Sequence, residues 1–141
     1  MQRSRALIAI CFTSGAVGGL AVAVLAWACS HWGVTALASV ELPARLDLPT
    51  LYASSVWGGL WGLPYYFTVG HAHSRRHWAR KGLWVSLLPS ALQLFYIYPH
   101  LTGHGPLGLS LGALTPVFVI GYNLCWGMVT GVFSRLFWGR D

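Results

Sequence analysis

The chain has 141 residues, of which 55% are hydrophobic and only 9% are charged. A soluble domain carries about 25% charged residues, so this composition excludes an ordinary water-soluble protein. Several apolar runs approach or exceed the roughly 20 residues that cross a bilayer, which predicts an all-α integral membrane protein.

Four membrane-spanning helices are predicted, within one membrane domain that covers residues 1–141. The spans are expected at about 6–29, 51–69, 83–98 and 114–133, with an outer loop at 30–50 and a basic cytoplasmic loop at 70–82. Short connections favour an antiparallel four-transmembrane-helix bundle. The first apolar run is too long for the hydrophobic region of a cleaved signal peptide, so we expect it to anchor the chain.

The positions of the basic residues predict the orientation. Eight of the nine lysines and arginines lie before the first span, between the second and third, or after the fourth. The positive-inside rule makes these segments cytoplasmic, with both termini inside a bacterial inner membrane. The net charge of +6 then reflects topology and contact with lipid headgroups, and nucleic acid is not needed to explain it. The residues expected to contact headgroups are Arg75, Arg76, Arg80 and Lys81.

Small residues four apart predict where helices meet, because they let two backbones approach closely in a membrane. Two polar residues within the spans, Gln93 and Asn123, are interpreted as interhelical hydrogen bonds or as contacts to a ligand headgroup, a quinone or a partner subunit. The predicted packing positions are Gly15, Gly19, Ser54, Gly58, Gly62, Gly127 and Gly131, together with Gln93 and Asn123.

The stretch VWGGLWGLPYY, residues 56–66, combines three glycines with two tryptophans four residues apart. On a helix, Ser54, Gly58 and Gly62 form one stripe, and Trp57 and Trp61 form another about 100° around the axis. We interpret this stretch as a docking surface for another helix, with a ligand pocket as the alternative.

Six histidines are the best candidates for metal or haem chemistry. His31, His100 and His104 are expected at the outer face, where they form a weak candidate cofactor site for haem or a metal. His71, His73 and His77 are expected at the cytoplasmic face, where the neighbouring positive charge disfavours a metal ion. The sequence requires no cofactor, although haem or a pigment is compatible with it.

The chain resembles small bacterial inner-membrane proteins of four helices. The residues that carry the resemblance are VWGGLWGLPYY, RKGLWVSLLPSALQLFYIYP and GPLGLSLGALTPVFVIGYNLCWG, which cover most of residues 56–127. The resemblance is one of pattern, and it implies neither an activity nor a site.

The function expected from the sequence is non-enzymatic. Paired catalytic carboxylates, a glycine-rich phosphate loop and a nucleophile elbow are all missing from the sequence. We expect a small accessory subunit or scaffold of a larger respiratory or photosynthetic complex, which packs helices, lipids or pigments through its glycine-rich faces. A homo-oligomer is also compatible with these faces. The alternatives are a haem- or metal-binding redox protein and an oligomeric channel or carrier for small solutes.

Overall fold

The computed structural model describes residues 2–40, 47–69, 77–101, 103, 109 and 111–139. Every regular element in these ranges is helical. The elements are α1 (Gln2–His31), α2 (Val34–Leu37), α3 (Leu48–Val69), α4 (Trp78–Val85), α5 (Leu87–Leu92), a π-helix (Gln93–Leu101) and α6 (Thr115–Trp138). The all-helical prediction is confirmed for the described residues.

Local sequence features explain where the long helices begin and end. The chain leaves α1 through Gly33, whose left-handed backbone (φ 76°) suits glycine and whose N–H bonds the carbonyl of Ser30 at 3.3 Å. Asp47 precedes α3 and accepts a 2.9 Å hydrogen bond from the N–H of Thr50, which is N-capping geometry. Pro116 lies in the first turn of α6, where a backbone N–H would have no hydrogen-bond partner within the helix. The N–H that proline lacks is therefore not missed there.

Residues 78–101, which comprise α4, α5 and the π-helix, form one helical segment whose winding changes along its length. Ser86 and Gln93 both keep right-handed helical dihedral angles, so the backbone passes without a loop from α4 through α5 into the π-helix. The π-helix contains Pro99, which cannot donate an α-helical hydrogen bond to the fourth preceding carbonyl. Wider π-type turns are rare and are often found at functional sites.

Helix α1 lies between α3 and α6 and runs antiparallel to both. Gly19 on α1 lies against Ser54 on α3, and Gly62 lies against Cys11, so the two helices run in opposite directions. Gly18 meets Trp126 and Thr130 of α6. Helix α4 packs closely on α6 and also contacts α3, while the π-helix meets α6 through side chains, with Leu94 and Tyr98 packed on Val119.

The prediction of a four-transmembrane-helix bundle is wrong for the described residues. Only two helices, Arg5–His31 and Thr115–Trp138, are long and apolar enough to cross a membrane. Helix α3 has 22 residues, but its glycines, serines, tyrosines and prolines dilute its hydropathy. The third predicted span falls in residues 78–101, where the backbone stays helical but its winding changes, and none of its three elements reaches the roughly 20 residues of a span.

Small and hydroxyl-bearing side chains fill much of the interior, while many bulky apolar side chains face outwards. Ser14, Thr130 and Ser134 are fully buried between α1 and α6. On the outer surface of the same two helices, the exposed apolar side chains are Ile8, Phe12, Leu20, Val24, Val117, Met128, Val132, Leu136 and Phe137. This distribution suits an apolar surrounding, in which helices associate through close packing of small residues.

Candidate functional site

The glycine stripe of VWGGLWGLPYY lies against α1 within the same chain. A Cβ atom on Gly58 would overlap the carbonyl oxygen of Gly15 and come within 2.9 Å of the Cα of Gly19. A Cβ atom on Gly62 would overlap the carbonyl of Cys11 in the same way. The backbones of α1 and α3 are therefore in direct contact along this stripe, and its glycines are occupied by an intramolecular interface.

The tryptophan stripe of the same stretch lines a cavity of about 260 Å³. The cavity lies between α1, α3, the segment from α5 into the π-helix, and α6. Trp57 and Trp61 contribute from α3, while Pro89 and Ile97 contribute from the opposite side. Small-molecule pockets usually measure about 300–1,000 Å³, so this cavity has room for a ring or a headgroup but not for a large ligand.

Aromatic rings form much of the cavity wall. Trp57 and Trp61 pack edge to face, with ring centroids 6.0 Å apart and an interplanar angle of 74°. Trp126 is held in place by a 3.1 Å hydrogen bond from its Nε1–H to the carbonyl oxygen of Gly15. Trp57 is 50% exposed, so the cavity reaches the outer surface of the protein beside this ring.

Two carboxamides contribute to the polar part of the lining, together with the hydroxyl-bearing residues Ser54 and Tyr122. Gln93 donates from Nε2 to the Tyr98 hydroxyl at 3.0 Å, and Asn123 donates from Nδ2 to the carbonyl of Val119 at 2.9 Å. The first bond lies within the π-helix and the second within α6. Neither is therefore the interhelical hydrogen bond that the sequence suggested. Each amide NH₂ carries a second N–H, and each amide also has a carbonyl oxygen that can accept hydrogen bonds.

The π-helix explains why Gln93 and Tyr98 meet. They are five residues apart, which is the hydrogen-bond spacing of a π-helix, so both side chains fall on one side of the segment. No side chain with a formal charge lines the cavity among the described residues. The lining therefore suits a neutral molecule that offers both a flat ring and a hydrogen-bonding oxygen.

A second glycine interface joins α4 to α6. A Cβ atom on Gly82 would overlap the carbonyl oxygen of Gly127 and lie 3.4 Å from the backbone nitrogen of Gly131. The two predicted packing glycines of α6 thus lie together opposite Gly82. The sequence reasoning missed Gly82 because it lies at the edge of the basic loop, although Ser86 follows it four positions later and also packs against Gly127.

The predicted histidine site is not assembled by the described residues. The ring of His31 stacks on Trp27 of its own helix at 5.0 Å, and His100 lies 5.6 Å from the ring of Tyr96. His77 is exposed before α4, while His71, His73 and His104 lie outside the described residues. Within the described part of the chain, no three His, Cys, Asp or Glu side chains are grouped as metal ligands would be.

The predicted headgroup-binding residues differ in their surroundings. Lys81 donates from Nζ to the carbonyl oxygen of Thr68 at 2.9 Å, which satisfies a carbonyl at the end of α3. Partial burial lowers the pKa of the Lys81 ammonium below its ordinary value. Arg80 is exposed, whereas Arg75 and Arg76 lie outside the described residues.

Several cavity residues were not predicted. Pro89, Ile97, Tyr122 and Trp126 reach the cavity only because the α5/π-helix segment and α6 come together with α1 and α3 around it. The sequence contains one relevant clue, because Tyr122, Asn123 and Trp126 are spaced one helical turn or less apart on α6.

Comparisons of this chain with protein-family models, with curated proteins and with solved structures find no match.

Proposed function

We propose that this protein is a non-enzymatic accessory subunit of a larger bacterial inner-membrane assembly, respiratory or photosynthetic, and that it holds a neutral, ring-bearing lipophilic molecule. The observation that carries the proposal is the uncharged cavity lined by Trp57, Trp61, Trp126, Gln93 and Asn123. Aromatic faces stack on a flat ring, and the two amides orient a carbonyl or hydroxyl group.

Membrane insertion is supported by α1 and α6, which are long and apolar enough to cross a bilayer. It is further supported by the exposed apolar side chains on these helices, such as Val117 (64% exposed) and Leu136 (66% exposed). In water this surface would drive aggregation, whereas in lipid it is solvated by acyl chains.

The proposed orientation places both termini in the cytoplasm. The four lysine and arginine side chains that the structure describes, Arg5, Arg80, Lys81 and Arg135, lie at the end of the molecule where α1 begins and α6 ends. Tyr65 and Trp78 define this end, where the Tyr65 hydroxyl bonds the Trp78 carbonyl at 2.9 Å. Positive charge concentrated at one end favours the cytoplasmic side for that end.

Partner subunits would contact surfaces other than the glycine stripes, because α1, α3, α4 and α6 already use those stripes on one another. The outward face of α3 offers large side chains instead, including Tyr52 (76% exposed) and Phe67 (79% exposed). Such a surface is suited to other membrane helices or to lipid.

The test is purification from native membranes in a mild detergent. We expect other subunits to copurify, and we expect an organic extract to contain a ring compound in stoichiometric amount, identified by mass spectrometry and its absorption spectrum. Asn123→Leu should lower the amount of ligand without releasing the partner subunits, because leucine keeps the helix and the approximate volume but removes the amide. Met128→Leu, on an exposed position of α6 outside the cavity, is the matched control.

Two results would overturn the proposal in different ways. A protein that remains alone and monodisperse would reject the accessory role. A ligand-free extract, or equal ligand in the wild type and Asn123→Leu, would reject the assignment of the cavity. Solute uptake into proteoliposomes containing the protein alone would favour the carrier alternative.

A further inference from the structure

A second concavity, of about 690 Å³, lies at the basic end of the molecule between the start of α4 and the end of α6. His77 and Arg80 line it from the α4 side, and Arg135 lines it from α6. No acidic side chain lines this groove within the described part of the chain. The groove is therefore positively charged, whereas the lining of the tryptophan-lined cavity is uncharged.

The groove combines cationic and apolar walls. Val132 and Leu136 lie one helical turn apart on α6 and line the groove beside Arg135, while Trp78 borders it from α4. Gly131 and Gly139 keep the groove open, and Gly139 has a φ of 85° that a residue with a side chain adopts poorly. A ligand that fits must present negative charge next to hydrocarbon.

We propose that this groove binds the phosphate headgroup of an anionic membrane lipid, with Arg80 and Arg135 as the residues that hold the phosphate. Guanidinium groups bind phosphate through paired, charge-assisted hydrogen bonds, and two of them from different helices enclose one headgroup better than either does alone. Val132 and Leu136 contact the start of an acyl chain, and Trp78, which is buried in the core, borders the groove from α4.

The proposal differs from the headgroup set expected from the sequence. Arg135 is now one of the proposed headgroup-binding residues, although it is 55 residues away from Arg80 along the chain. Lys81 is no longer one of these residues, because its ammonium donates a hydrogen bond to the Thr68 carbonyl. The bound lipid would connect α4 to α6 at the membrane surface. The inference rests on the membrane location in the proposed function, but it is independent of any ligand in the tryptophan-lined cavity.

The experiment measures quenching of tryptophan fluorescence in the full chain, solubilised in a neutral detergent, by phosphatidylglycerol with brominated acyl chains. Brominated phosphatidylcholine is the zwitterionic control lipid, and unbrominated phosphatidylglycerol or inorganic phosphate is added as competitor. We expect saturable quenching by phosphatidylglycerol, weaker quenching by phosphatidylcholine and displacement by unbrominated phosphatidylglycerol. Each of Arg80→Gln and Arg135→Gln should weaken the apparent affinity about fivefold, since a basic residue near an anionic surface contributes about that factor.

Arg5→Gln is the matched control, because Arg5 is an exposed arginine at the same end of the molecule and does not line the groove. Equal weakening by Arg5→Gln would mean that diffuse positive charge attracts the lipid, and this would overturn the proposal. Equal quenching by the two lipids would also overturn it, and displacement by millimolar inorganic phosphate would reassign the groove to free phosphate. The membrane location is tested separately, by whether the protein stays in membranes washed with carbonate. Loss of the protein from washed membranes would reject the membrane location, whereas loss of lipid binding alone would reject only the groove.

Discussion

The two ends of the molecule are packed in different ways, and the difference separates structural from ligand-binding roles. At the basic end, Leu7, Cys11, Tyr65 and Trp78 belong to one continuous buried cluster. Towards the other end, α4 gives way to α5 and the π-helix, which meets α6 through a smaller buried cluster of Leu94, Tyr98 and Val119, and the tryptophan-lined cavity appears. A glycine on one partner is enough for backbone contact, as at Gly62 against Cys11, whereas bulky rings and amides line the cavity where the helices stand apart.

The stretch VWGGLWGLPYY takes part in both kinds of packing. Its glycines lie against α1 with no room for a methyl group, and its tryptophans line the cavity together with Gly58. The same helix is therefore fixed rigidly on one side, and this fixed position holds the cavity wall in place on the other. Substitution of Gly62, which does not line the cavity, and substitution of the tryptophans should have separable effects.

The largest effect is expected from Gly58→Leu, which places a side chain where two backbones touch. Overpacking a core usually costs about 1–3 kcal/mol, and a clash with backbone cannot be relieved by a rotamer change, so we expect about 3 kcal/mol or more. The measurement is thermal or denaturant unfolding in detergent. Gly121→Leu on α6 is the control, because a Cβ atom there meets nothing within 4 Å. Equal stability of the two variants would show that α1 and α3 are not in close contact.

Filling the cavity should have the next largest effect, on binding and not on folding. Ile97→Trp adds a large ring to the π-helical wall of the cavity. We expect the copurified ring compound to bind at least about tenfold more weakly, a loss of about 1.4 kcal/mol. The measurement is the amount of ligand retained per protein after purification. Leu101→Trp adds the same ring at an exposed position of the π-helix, and it should leave the ligand content unchanged. Unchanged content in Ile97→Trp would place the ligand elsewhere.

Much of the helical structure could be predicted from the sequence, and the reason is local. Apolar runs, the glycine after α1 and the proline at the start of α6 act on neighbouring residues, so the helices fall close to the predicted spans. The number of membrane-spanning helices was predicted wrongly, because overall hydrophobicity does not reveal that α3 is diluted by polar and small residues or that residues 78–101 change winding at Gln93.

The cavity could be predicted only in part. Gln93, Asn123 and the two tryptophans of α3 were singled out because polar residues and paired rings are unusual within apolar runs. Trp126 and Ile97 join them through the packing of distant segments, which no local pattern encodes. Gly82 and Arg135 illustrate the same limit, because each acquires its neighbours only when α4 meets α6.

A smaller effect is expected where the two kinds of packing meet, at Trp126. Its indole N–H bonds the carbonyl of Gly15 in the glycine interface, and its ring lines the cavity. Trp126→Phe removes the buried hydrogen bond, and we expect a loss of about 1 kcal/mol in unfolding free energy. Trp84→Phe is the control, because Trp84 is 66% exposed. If Trp126→Phe proves no less stable than Trp84→Phe, the hydrogen bond does not hold this ring in place.

The smallest effect is expected from the amide and hydroxyl pair on the π-helix. Gln93→Leu and Tyr98→Phe each remove one partner of the 3.0 Å hydrogen bond, and a double-mutant cycle isolates their coupling. Side-chain hydrogen bonds in membrane proteins average about 0.6 kcal/mol, and we expect a coupling free energy of that size in unfolding measurements. The pair also tests whether this segment is a π-helix, because side chains five residues apart lie on the same side of a π-helix but not of an α-helix. Additive effects of the two substitutions would mean that the segment does not hold Gln93 against Tyr98, and the cavity would then lack a fixed amide on that wall.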